Sequence, residues 1–66
     1  MEYQVLVRRE DEKKVVVQFY KGAERLKGHD LSFFQWEPHE IKMRVENKLS
    51  ELKINPAHVE WAGDSL

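Results

Sequence analysis

The stretch from Trp36 to Pro56 constrains this chain most, because it carries a start signal, a periodic apolar seam and a stop signal for one amphipathic helix. Pro38 suits the first helical position, where its fixed φ is pre-organised and its missing N–H has no helical partner to lose. Glu37 is then the N-cap, and with Glu40 three residues on it approximates a capping box, although Glu caps less well than Ser, Thr, Asp or Asn. Trp36 and Ile41 fall at hydrophobic-staple spacing. Ile41, Val45, Leu49 and Leu52 recur at intervals of four, four and three, which places them on one helical face beside a polar stripe of Glu40, Arg44, Lys48 and Glu51. The helix is expected from Pro38 to Lys53, since Pro56 cannot continue it and disfavours helical geometry at Asn55.

Ahead of the helix the period changes to two. Tyr3, Val5 and Val7 alternate with Gln4, Leu6 and Arg8, and Val15, Val17 and Phe19 alternate with Val16, Gln18 and Tyr20. These runs predict a β-hairpin whose odd positions face inward, with Glu10 to Lys13 as the turn. Two registers keep odd residues opposite odd ones. One opposes Arg8 to Lys14 and Arg9 to Lys13, like charges face to face; the other opposes Glu10 to Lys14 and Val7 to Val17 and is preferred. It leaves Asp11, Glu12 and Lys13 at a tip that lacks the Gly or Asn usual in such loops.

Ala23 to Gly28 fits either a short third strand or one helical turn. Leu31, Phe33, Phe34 and Trp36 put four large apolar groups into six residues, so this connector is expected to pack on the core edge. After Pro56, Val59 and Trp61 alternate with His58 and Glu60 as a short terminal strand, with residues 62–66 as a frayed tail. The expected fold is a single α+β domain of order ββ(β)αβ, a small antiparallel sheet covered on one face by one helix, with Trp36 and Trp61 filling the ends of the core.

At 66 residues such a domain buries only about 60% of the surface its unfolded chain exposes. With no cysteine it has neither disulfides nor thiolate metal sites to supplement that core, a composition compatible with a reducing compartment. No apolar run approaches the ~20 residues of a membrane span, and the N-terminus lacks the apolar core of a secretory signal. The expectation is a cytoplasmic protein without membrane contact. A formal charge of -1 gives no global field to attract a polyanion.

Motifs for catalysis are missing from the sequence. His29, His39 and His58 follow no metal-ligand spacing, and the neighbouring His29 and Asp30 suggest at most a hydrogen-bonded pair without a nucleophile beside it. Glu10, Asp11 and Glu12 lack the spacing and Gly of a calcium loop and read as a solvated turn. Without a phosphate loop or a nucleophile elbow, the chain is expected to have no enzymatic activity and no cofactor.

Two binding expectations follow. Leu6, Val16 and Tyr20 are left on the back of the hairpin, and with Phe33 and Phe34 they form the expected protein-binding surface of a small adaptor or inhibitor-like regulator, its partner another protein or a second copy of the chain. The alternative is nucleic-acid binding by Arg8, Arg9, Lys13 and Lys14 near the hairpin tip, a patch diluted by the acidic turn and by an overall pI near 6.3.

Overall fold

A computed structural model describes residues 2–65. Strand β1 (Tyr3–Arg9) and strand β2 (Lys14–Lys21) form the hairpin in the preferred register, with Val5 opposite Phe19 and Val7 opposite Val17. The tip closes without a left-handed residue because the Asp11 carboxylate accepts the backbone N–H groups of Lys13 and Lys14, both at 2.8 Å. An Asx-type turn replaces the missing Gly. Lys14 and Glu10 carry the strand pairing into an ion pair at 3.3 Å.

The connector extends the sheet. Strand β3 (Glu24–Arg25) pairs with the end of β2, and strand β4 (Leu31–Phe34) pairs antiparallel with its first half, Val15 opposite Phe33 and Val17 opposite Leu31. Gln35 turns the chain at a φ of 50° and the helix α1 (Pro38–Glu51) follows. A 3-10 turn (Pro56–His58), capped by the Asn55 side chain on the Ala57 N–H, leads into strand β5 (Val59–Gly63). β5 lies beside β1 and parallel to it, because the helix carries the chain back along the sheet before the last strand begins. The sheet is therefore mixed and five-stranded, with β3 and β4 on one edge of β2 and β5 on the far edge of β1. The α+β class and the ββ(β)αβ order hold, with a wider sheet than the hairpin alone indicates.

One core lies between helix and sheet. Ile41, Val45 and Leu49 of α1 meet Val5, Val7, Val15, Val17 and Phe19, and Phe33, Ile54 and Val59 close its margins. Each fully buried aliphatic side chain contributes about 1.5–3 kcal/mol, so this cluster supplies most of the driving force for folding.

The ends of α1 differ from the expected ones. Glu37 stands at the N-cap but its side chain makes no capping bond; its backbone C=O accepts from Glu40 and Ile41 instead. The helix stops at Glu51, two residues short of Lys53, and Pro56 is not the cause. Ile54 N–H donates to Leu49 O at 2.8 Å and Lys53 N–H to Ser50 O at 3.0 Å, a Schellman closure that buries Ile54 beside Leu49 and holds Lys53 at a φ of 61°. Of the expected tail, Leu66 lies outside the described residues, Ala62 and Gly63 belong to β5, and Asp64 is pinned twice: its N–H donates to Val7 O at 2.8 Å, and its carboxylate accepts the Arg9 N–H at 2.7 Å.

Gly63 makes that closure possible. Its φ is 92°, and a Cβ there would collide with Val7 O. Gly63→Ala is expected to cost roughly 3 kcal/mol from overpacking and left-handed strain together. At Gly22, also at positive φ but with nothing near a Cβ, the same change should cost about 1 kcal/mol. Urea unfolding of both variants checks the ratio. Lys53→Gly relieves a left-handed lysine at the helix end, and its melting temperature should rise by about 4–8 °C.

A candidate protein-interaction face

α1 covers the odd-numbered face of the β1–β2 hairpin and leaves the even-numbered one without a second layer. Directly opposed residues share a face, so the pairings define this surface. Gln4 lies opposite Tyr20, Leu6 opposite Gln18, and Arg8 opposite Val16. β4 adds Ser32 beside Val16 and Phe34 beside Lys14, and β5 adds Ala62 beside Leu6 and Glu60 beside Gln4. Leu6 sits diagonally between Val16 and Tyr20, within reach of both, with Gln18 at the centre. All three apolar residues are half-buried by their sheet neighbours alone.

Of the five residues expected on a protein-binding surface, four lie on this face. The correction is Phe33. It points to the helix side, is 6% exposed and belongs to the core, where the Arg44 guanidinium lies 5.9 Å from its ring centroid. The cause is β-strand alternation: once residues 31–34 pair with β2, Phe33 and Phe34 must lie on opposite faces. Phe34 is 67% exposed, with Lys14 5.5 Å from its ring centroid.

The basic residues near the hairpin tip divide in the same way. Arg8 and Lys14 lie on the uncovered face, and Lys14 is held by Glu10. Arg9 lies on the other side, 5.1 Å from the centroid of Trp36, and Lys13 is exposed in the turn. Four neighbouring cations in sequence thus supply two to any one surface.

The three histidines and the acidic run stand at separate places in the fold. His39 is exposed beside Glu37 at 3.5 Å. His29 is not paired with Asp30, whose carboxylate meets Arg25 at 3.7 Å; its Nδ1 is buried without a hydrogen-bond partner. Among the described residues no group of three or more His, Asp or Glu is placed to hold a metal ion. The acidic run is structural, since Asp11 closes the turn and Glu10 pairs with Lys14.

Gln18 and Ala62 are part of the face that sequence reasoning did not single out. Gln18 is 8% exposed although no helix covers it. Its even parity on β2 was the available signal; Ala62 needed the parallel pairing of β5, which no short-range pattern reveals. Trp61, expected to fill an end of the core, is instead 39% exposed at the sheet margin. No protein-family model, curated protein or solved structure matches this chain, so its function rests on its own residues.

Gln18 interrupts the apolar patch at its centre. Gln18→Val is expected to keep the fold while joining Leu6, Val16 and Tyr20 into one stripe, and so to promote self-association. Sedimentation velocity across a concentration series reads this directly: the variant forms larger species at lower concentration than the parent.

Proposed function

We propose that this domain is a non-enzymatic protein-interaction module, a small cytoplasmic adaptor or inhibitor-like regulator that docks through its uncovered sheet face. The observation that supports this reading is the asymmetry of the sheet, with one face sealed by α1 and the other presenting Leu6, Val16 and Tyr20 around Gln18 and exposed Phe34 at the rim. An apolar centre with aromatic residues and a mixed-charge rim suits a protein surface, either another protein or a second copy of this chain. Charge balance adds to it, because Arg25 is paired with Asp30 and Lys14 with Glu10, leaving no strong field over the face. The lack of cysteine supports the compartment. Among the described residues no helix is long and apolar enough to cross a membrane.

A second reading draws on one specific observation. Tyr20 and Phe34 share the uncovered face with Arg8 and Lys14, and the two rings stand at sites ~20 Å apart along the strand direction. Aromatic side chains with adjacent cations form stacking platforms for single-stranded nucleic acid. With Arg25 opposite Tyr20 the face carries three cations, still a weak electrostatic contribution, so such binding carries a log–log salt slope of only about -2.1.

The test is capture of partners from native lysate by the tagged protein, with and without nuclease and at low and high salt, using Leu6→Ser and Val16→Ser in parallel. The protein-interaction reading expects a partner that survives nuclease and salt and is lost with either substitution, while the variants keep the parent's circular dichroism. Recovery only of nucleic acid, or of proteins lost with nuclease, supports the second reading. Unfolding of both variants makes Leu6 and Val16 core residues and removes the surface.

A further inference from the structure

The two edges of the sheet are guarded very differently. One consists of β3 and β4, two and four residues long, separated by residues 26–30 and carrying the charged pair Glu24 and Arg25. Short, broken and charged edges resist strand addition. The other is β5, five residues without a break, without proline or lysine, and with Glu60 as its one charged residue.

The backbone of β5 has a definite polarity. Asp64 N–H donates to Val7 O, so by strand alternation Glu60, Ala62 and Asp64 turn their N–H and C=O groups toward β1. Val59, Trp61 and Gly63 turn theirs toward the open edge. Beside them, on the helix side, lies an open groove of about 350 Å³ lined by Trp61, Pro38, His39 and Lys42. A second hollow of about 300 Å³ shares Trp61 and continues past Gly63 to Asp64 and Ser65.

We propose that this edge takes an extended peptide segment of another protein, added as a further strand on β5, with an apolar side chain against Trp61 and an acidic one beside Lys42. The N–H and C=O groups of Val59, Trp61 and Gly63, turned toward the open edge, specify an extended backbone, and the groove selects side chains at alternate positions. Charge decides the rest. Lys42 is in no ion pair among the described residues, whereas Asp64 stands at the far end of the adjoining hollow, so the ligand's carboxylate belongs at the Lys42 end. The same cation disfavours a second copy of this chain. Antiparallel self-pairing over the five residues of β5 centres on Trp61 and brings Lys42 of both copies to one axis. This edge is a separate surface from the uncovered face and functions with or without it.

The probe is a phage-displayed library of random octapeptides, followed by synthesis of an enriched peptide and an NMR titration of the whole protein. The expected result is a motif with an apolar and an acidic residue at alternate positions, slowed amide exchange at Trp61 and Gly63, and shifts centred on the Trp61 indole. Lys42→Glu, an exposed change that leaves the spectrum folded, should weaken that peptide about ten-fold, in the range of charge pairs lost at an interface. Three results overturn the proposal: no enriched motif, enriched peptides that shift Leu6, Val16 and Tyr20 instead of β5, or a free protein that is already dimeric with the Trp61 and Gly63 amides protected. The second of these leaves the sheet-face reading standing, so the two fail separately.

Discussion

Ile41, Val45 and Leu49 form the one apolar stripe on the one helix, and every other feature is arranged around what that stripe can cover. A helix with its side chains is about 10–12 Å across, while strands lie ~4.8 Å apart, so α1 spans the β1–β2 pair and little more. The margins and the reverse face are left to other devices. On the β4 side Phe33 is sealed under the Arg44 side chain. On the β5 side Trp61 stays partly exposed beside Lys42. On the reverse face Gln4 and Gln18 stand among half-buried apolar residues that no helix covers among the described residues. The uncovered face and the open β5 edge are thus consequences of a single limit, the width of one helix.

Side-chain and backbone chemistry fixes the connections that packing leaves free. Asp11 replaces a turn glycine by accepting two backbone N–H groups. The Schellman closure stops α1 and directs Ile54 into the core, at the expense of a left-handed lysine. Gly63 lets β5 approach Val7 closely enough for Asp64 to bind both Val7 and Arg9, which ties the last strand to the first. The most distant parts of the sequence therefore meet side by side, the last strand forming the sheet edge against the first, and the fold depends on contacts across nearly its whole length.

What the sequence made legible is what depends on local period. The hairpin faces, the register that sets Glu10 against Lys14, and the helix start at Pro38 follow from spacing and charge over a few residues. The position of Leu6, Val16 and Tyr20 on the back of the hairpin follows for the same reason. The rest depends on tertiary pairing. Nothing within residues 31–34 tells Phe33 from Phe34 until β4 docks on β2, and the parallel alignment of β5 follows from the return path of the helix. Lys53 in a left-handed conformation runs against its own preference, and the burial of Ile54 overrides it. Strand alternation and the turn distribute Arg8, Arg9, Lys13 and Lys14 over different surfaces, a separation that their closeness in sequence does not reveal.

One sheet face is sealed by the helix and the other lacks a second layer among the described residues. The most direct test is the relaxation of methyl NMR signals by a soluble paramagnetic probe, which reads the distance of each methyl from solvent. A helix on one face only predicts strong relaxation for Leu6 and Val16 and weak relaxation for Val5, Val7, Val15, Val17, Ile41 and Val45. Equal protection of Leu6 and Val16 in the monomer would mean that a second layer covers the reverse face, and would overturn this architecture.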